Sequence, residues 1–270
     1  MNKLTKRVVS AAVLMALALW ATVSGGAIFA VLVAAATLLM SWEWHRMVRG
    51  TGADVFAFAS AFVVLVALGM AAAGLFGNAV LVLIVGAGIV ASRVRPRGLI
   101  GFGVLYIGLP AVALIWMRDS AEGLLAIVLI MGTVWVTDTL AMITGKSIGG
   151  PLLWPAISPN KTWAGATGGL IAGAVFATAL VVWWVPQAHW WQGTVTGIIL
   201  SMASQLGDLG ESAIKRHCRV KDTSTLIPGH GGVLDRLDGI VGAALVAAAW
   251  AVVVAPDAPG AAVLVWARPV

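Results

Sequence analysis

Residues 207–239 read GDLGESAIKRHCRVKDTSTLIPGHGGVLDRLDG, the densest gathering in the 270-residue chain of groups able to act on a phosphate. Asp208 stands at one end, and Asp235 and Asp238 at the other. Hard oxygen donors of this kind suit Mg²⁺, which keeps some of its waters and is usually completed by substrate phosphate. Lys215, Arg216, Arg219, Lys221 and Arg236 supply positive charge between them, Arg as a bidentate fork and Lys as a point charge. Gly229, Gly231 and Gly232 around His230 allow a tight turn whose backbone N–H groups can approach a phosphate. Acids, cations and glycine turns together point to phosphoryl or nucleotidyl transfer. Membrane topology alone would explain the cations, and for Arg219 that reading is as good as a functional one. It does not explain acids at both ends of one loop.

The elements that position these residues follow from composition. Hydrophobic residues make up 60% of the chain and charged residues 10%, against about 25% charged in ordinary globular proteins. So few charges cannot cover a water-facing surface. A disordered chain, a disulfide scaffold and an ordinary cytosolic enzyme are excluded, leaving an all-α polytopic membrane protein. The 32 glycines show no collagen period and fit close helix contacts in lipid. Cys218 is the single cysteine, so it has no partner for a disulfide or a cysteine-based zinc site. The net charge of +6 sits in short connections rather than on a solvated domain, so nucleic acid is not an expected partner.

With about 20 residues needed to cross the hydrocarbon, the apolar runs give nine spans. They lie near 8–23, 27–41, 54–73, 78–92, 98–117, 121–143, 164–186, 194–213 and 237–255, the first two forming a hairpin around Ser24-Gly25-Gly26. Lys3, Lys6 and Arg7 precede a retained first helix rather than a cleaved signal peptide. The stretch 261–266 is too short to span. Of the 17 basic residues, all but Arg118 and Arg268 fall in one set of connections, 15 against 2. The positive-inside bias therefore places the N-terminus in the cytoplasm. Trp42 and Trp44 are expected as anchors at the inner interface, and Trp183, Trp184, Trp190 and Trp191 at the outer one. Residues 1–120 read as a helical scaffold. Residues 121–270 read as a catalytic region whose long cytoplasmic connections, 144–163 and 214–236, carry the chemistry.

Asp138, Asp208 and Glu211 lie within or at the ends of apolar segments. A carboxylate there is costly unless paired, hydrated or metal-bound, so it marks a candidate site. For Glu211 the plainer reading, an acid at the helix–water boundary, carries more weight.

The stretch from Ser212 resembles the signature of the phosphatidate cytidylyltransferase (CDP-diacylglycerol synthase) family. The matching positions are Ser212, Ile214-Lys215-Arg216, Lys221-Asp222, Ser224, Ile227-Pro228, His230-Gly231-Gly232 and Asp235-Arg236-Leu237-Asp238. An upstream block looks like the same family: Asp138-Thr139-Leu140-Ala141, Gly145-Lys146, Gly149, then Ile157-Ser158-Pro159-Asn160-Lys161-Thr162-Trp163, ending at Gly165 and Gly169. Met142 replaces a usual aromatic, Gly150 a second basic residue and Ala164 an acid. The last departure bears on substrate positioning. Together the motifs run from Asp138 to Asp238, within the C-terminal half.

The resemblance implies an enzyme that uses CTP and phosphatidate, forms CDP-diacylglycerol and pyrophosphate, and requires Mg²⁺, with a second, monovalent cation left open. It implies an integral protein of the cytoplasmic membrane with its site facing the cytoplasm, and is compatible with a homodimer. The family's metal acids map onto Asp208 and Asp235, with Asp238 nearby. Lys215, Arg216, Lys221 and Arg236 map to phosphates, and Lys161 and Ser158 to the nucleotide or the lipid head group. Asp138, Ser212, Asp222, Gly231 and Gly232 join the substrate site. His230 either contacts a phosphate or holds the loop, or acts as general acid towards pyrophosphate. His217 and Cys218 fall at unspecified positions and read as bystanders.

Three other readings remain at this stage. A related CTP-dependent transferase could use a non-diacyl lipid phosphate, because nothing in the apolar helices reads the chains. A transporter would need its acids near the membrane midplane, and here they gather at cytoplasmic ends beside cations. A catalytically impaired homologue is raised by Ala164. The CDP-alcohol phosphotransferases are disfavoured, since Asp238-Gly239 is followed by Ile240-Val241-Gly242 instead of their motif.

Overall fold

A computed structural model describes residues 3–227 and 231–266. The helices are α1 (Lys3–Ser24), α2 (Gly26–Arg49), α3 (Val55–Ala72), α4 (Phe76–Arg93), α5 (Arg97–Arg118), α6 (Gly123–Ile148), α7 (Trp163–Trp184), α8 (Trp190–His217), α9 (Leu234–Val254) and α10 (Pro259–Val265). Each of the nine expected spans overlaps one of the first nine helices, and α10 is the short C-terminal piece. The protein is an all-α polytopic membrane protein. Among the described residues seven helices are long and apolar enough to cross a bilayer: α2 to α7 and α9. The apolar part of α1 is shorter, Val9–Ser24. In α8 the apolar run is interrupted by Gln192, Gln205, Asp208 and Glu211.

Helix α2 runs to Arg49, eight residues past the expected end at 41, and two further elements differ from the sequence reading beside the candidate site. First, α6 continues five residues past the expected end at 143 and stops only at Gly149, whose φ is +68° and whose N–H bonds Gly145 O. The remainder of the expected loop holds a small antiparallel hairpin, β1 (Leu152–Trp154) with β2 (Ser158–Thr162), Leu152 opposite Thr162 and Trp154 opposite Ser158. Pro151, Pro155 and Pro159 hide these strands, since proline reads as loop. Second, α8 runs to His217 because Ile214-Lys215-Arg216-His217 contains no helix breaker. It ends in a Schellman turn, with Val220 N–H on Lys215 O (2.9 Å), Arg219 N–H on Arg216 O (3.0 Å), and Arg219 itself left-handed at φ 59°.

The chain forms two compact units. One comprises residues 1–119 and 215–237, so the 215–237 segment packs with the first five helices. In it Trp44 is buried, donates to Leu99 O at 3.0 Å and lies against Gly103, where any side chain would overlap the indole. The expected interfacial anchor at Trp44 is thus a core residue, because helix α5 offers a glycine at the contact. His45 and Ser60 bond each other at 2.9 Å between α2 and α3. Asp54 caps α3 through Ala57 N–H, and the Arg49 guanidinium at 2.5 Å holds its carboxyl below the usual carboxylate range.

The other unit comprises residues 120–214 and 238–270. Its helices approach at glycines, as small residues permit in lipid. A Cβ on Gly169 of α7 would lie 2.8 Å from Thr137 O of α6. One on Gly207 of α8 would lie 2.5 Å from Asp238 O of α9, and one on Gly242 of α9 would overlap Ala203 O of α8. Trp183, Trp184, Trp190 and Trp191 are exposed.

Candidate active site

In the second unit, three helices and the hairpin deliver charged groups to one place. Thr162 ends β2 and caps α7 by accepting Gly165 N–H at 3.1 Å, which sets the strand just ahead of it. Lys161 Nζ from that strand meets Asp208 Oδ2 of α8 at 2.5 Å. Ser212, one turn further along α8, donates to Asp208 Oδ1 at 3.4 Å. Asp238 of α9 is half-buried, and the like charges acting on it are those of Asp208, Glu211 and Asp138. One Asp238 oxygen accepts its neighbour Gly239 N–H at 2.7 Å. Glu211 is buried at 1% exposure and Asp138 is exposed. Ser158 lies half-buried on β2, opposite Trp154.

The rest of the signature lies in the first unit and is organised around two buried carboxylates. Asp235 Oδ1 accepts Lys215 Nζ at 2.6 Å, while Oδ2 accepts Thr223 N–H (2.9 Å), Thr223 Oγ–H (2.9 Å) and Gly232 N–H (2.8 Å). Gly231, at φ +86°, has no room for a side chain, since a Cβ would lie 2.8 Å from that same oxygen. Arg216 is exposed and donates to Val220 O at 3.1 Å, and Lys221, Asp222 and Arg236 are also exposed. His230, expected at the turn, lies outside the described residues, as do Pro228 and Gly229. Cys218 has its thiol pushed up by burial, in keeping with a bystander.

The second buried carboxylate escaped the sequence reading. Glu43 of α2 is fully buried, accepts Ser224 Oγ–H, Val233 N–H and Leu234 N–H at 2.6–2.9 Å, and shares the single Thr223 hydroxyl proton with Asp235. Its signal was an acid flanked by two tryptophans at the end of an apolar helix, Trp42-Glu43-Trp44. That is the same argument that singled out Asp138.

These donors bear on a divalent ion in a specific way. Among the described residues no three Asp, Glu, His or Cys side chains are placed to hold one alone. The charges of Asp208 and Asp238 act on each other, and carboxylates of this type suit Mg²⁺ with substrate phosphates completing the shell. Asp235 fits less well, because both its oxygens are already engaged by four donors of the protein itself.

The sequence model of the cytidylyltransferase family matches residues 5–254. The chain is 38% identical over 266 residues to a phosphatidate cytidylyltransferase of Brucella suis biovar 1 (strain 1330), covering 97% of this chain and 98% of that protein. It is 39% identical over 248 residues to the protein of the same name from Brucella abortus biovar 1 (strain 9-941), covering 90% and 92%. A shorter match, 42% over 146 residues, covers 53% of this chain and 54% of the Bacillus subtilis (strain 168) phosphatidate cytidylyltransferase. With both sequence blocks in place and a match that takes in the N-terminal helices as well, the chain belongs to the cytidylyltransferase family.

Proposed function

We propose that this protein transfers the cytidylyl group of CTP to phosphatidate, forming CDP-diacylglycerol and releasing pyrophosphate. A phosphate oxygen of phosphatidate attacks the α-phosphorus of CTP, a new P–O bond forms, and the bond to the β-phosphate breaks. The nucleophile is already anionic at neutral pH, so the site needs no strong general base. Its task is to hold two polyanions together and to stabilise charge on the α-phosphorus and the leaving group. The observation that carries this reading is the Lys161–Asp208 pair, in which the upstream block meets, at 2.5 Å, the acid one helical turn ahead of the signature.

Lys161 orients Asp208 and offers its ammonium to a phosphate oxygen. Asp208 and Asp238 are the proposed ligands of Mg²⁺, which when bound would neutralise phosphate charge and stabilise the departing pyrophosphate. Asp235 holds Lys215, Thr223 and Gly232. Lys221, Arg216 and Arg236, all exposed, supply cations to the nucleotide. Ser158 and Ser212 bind substrate beside Lys161 and Asp208. In this reading the site faces the cytoplasm at the inner membrane, where the lipid head group and CTP can both reach it, and the bias of basic residues towards one set of connections supports that side.

The test is purified protein with labelled CTP and phosphatidate, with and without Mg²⁺, reading CDP-lipid and pyrophosphate together. Equal yields of both products, dependent on Mg²⁺ and on phosphatidate, are expected. Product only with another lipid phosphate would reassign the lipid, and no product with any would overturn the reading.

A further inference from the structure

Glu43 lies outside both sequence blocks, in a helix read as scaffold, yet it bonds residues 180 to 191 positions away. Its Oε1 accepts Ser224 Oγ–H at 2.6 Å and Val233 N–H at 2.9 Å. Its Oε2 accepts Leu234 N–H at 2.8 Å and lies 3.2 Å from Thr223 Oγ, whose single proton it shares with Asp235 Oδ2 at 2.9 Å. Leu234 opens α9, so the carboxylate sits at that helix's N-terminus, where free N–H groups and the helix dipole favour a negative charge. The turn closes directly on it. A Cβ on Gly232 would lie 2.5 Å from Glu43 Oε1 and would overlap the Thr223 hydroxyl, so only glycine fits.

We propose that Glu43 is the positioning residue for residues 221–227 and 231–234, fixing Thr223, Ser224 and the start of α9 for the transfer reaction. The proposal rests on the cytidylyltransferase reading for its consequence in catalysis, but not for the tether itself. Both Glu43 oxygens act only as acceptors. Glu43→Gln keeps the shape and turns an NH₂ towards two donors, which leaves them unsatisfied inside the protein. Residues 221–227 and 231–234 should then part from α2 more often, and CTP should bind less well because Lys221 and Arg236 flank the loosened contacts.

The experiment compares wild type, Glu43→Gln and Ser224→Ala as purified full-length proteins. Trypsin cleavage after Lys221, measured without substrate, reports the tether. Cleavage after Arg93 or Arg97, outside the segment, reports global unfolding. Glu43→Gln should speed cleavage at Lys221 by about tenfold, as expected for losing hydrogen bonds to a charged group, with cleavage at Arg93 and Arg97 unchanged. Ser224→Ala removes one donor and should give a smaller increase at the same bond. In turnover the KM for CTP should rise severalfold in Glu43→Gln with kcat less affected, whereas simple loss of folded protein lowers apparent kcat and leaves KM alone. Wild-type cleavage at Lys221 in Glu43→Gln would overturn the proposal. If Glu43→Gln unfolds globally, Ser224→Ala decides: no increase at Lys221 overturns it too. A wild type with no CTP-dependent turnover refutes the catalytic reading while leaving the cleavage result to stand or fall alone.

Discussion

A methyl carbon on Gly207 would lie 2.5 Å from the carbonyl oxygen of Asp238, so α8 and α9 touch backbone to backbone at the residue next to Asp208. This contact fixes the spacing of the two acids we assign to the metal. Gly210, three residues on, has no heavy atom within 4 Å of its ideal Cβ. The two glycines therefore make an internal comparison. Gly207→Ala forces the helices apart and should cost about 1–3 kcal/mol, the range for overpacking, with turnover falling at least tenfold. Gly210→Ala should leave both unchanged or raise stability slightly, since alanine favours a helix. Thermal unfolding and CTP turnover in detergent check the pair, and equal effects would contradict the close approach.

The acids divide by what already occupies them. Asp208→Asn and Asp238→Asn should each abolish turnover at ordinary Mg²⁺ while leaving the protein in the membrane, with any residual activity recovered only at much higher Mg²⁺. Asp235→Asn should also reduce turnover severely, through the turn, but without moving the Mg²⁺ concentration at half-maximal rate. A Mg²⁺ titration of the three variants separates these outcomes. A large shift for Asp235→Asn would return the metal to Asp235, where the family resemblance first placed it.

Lys215 and Arg219 test which cations belong to the site and which to topology. The Lys215 and Asp235 side chains are 11% and 3% exposed, so Lys215→Ala strands a buried carboxylate and should cost about 3–5 kcal/mol along with turnover. Arg219 is exposed, and its backbone sits at φ 59°. Arg219→Ala should change turnover little, and Arg219→Gly should gain up to about 1 kcal/mol by relieving the left-handed strain. Unfolding and activity measured on the same preparations decide it.

The helices were legible because a span needs only a long apolar run, and each run between charges or glycines produced one. The hairpin at 152–162 was not, because its strands are short, carry three prolines nearby and pair only with each other. The signature residues were legible from acids and cations crowded at helix ends. What they touch was not. Asp235 and Asp238 stand one helical turn apart and look interchangeable in sequence, yet one is saturated by Lys215, Thr223 and Gly232 while the other faces Asp208, Glu211 and Asp138. Glu43 stayed hidden because its partners lie about 180 residues away, and no local pattern encodes such a distance.

Lys161 separates stability from chemistry most cleanly. The Lys161 and Asp208 side chains are 28% and 31% exposed, so the ion pair is partly screened and should contribute at most about 1 kcal/mol to folding. Lys161→Met keeps the aliphatic stem along the strand and removes only the ammonium. The melting temperature should therefore hardly move. Catalysis should respond far more, because a preorganised cation beside developing phosphate charge is worth about 10²–10³ in rate. Lys161→Arg keeps the charge but replaces a point donor with a planar fork too wide for the same 2.5 Å approach, and should recover only part of the loss. Initial rates across CTP concentrations, beside unfolding curves, check both variants. A Lys161→Met protein with wild-type rates would remove the pair from the reaction and leave it a surface salt bridge.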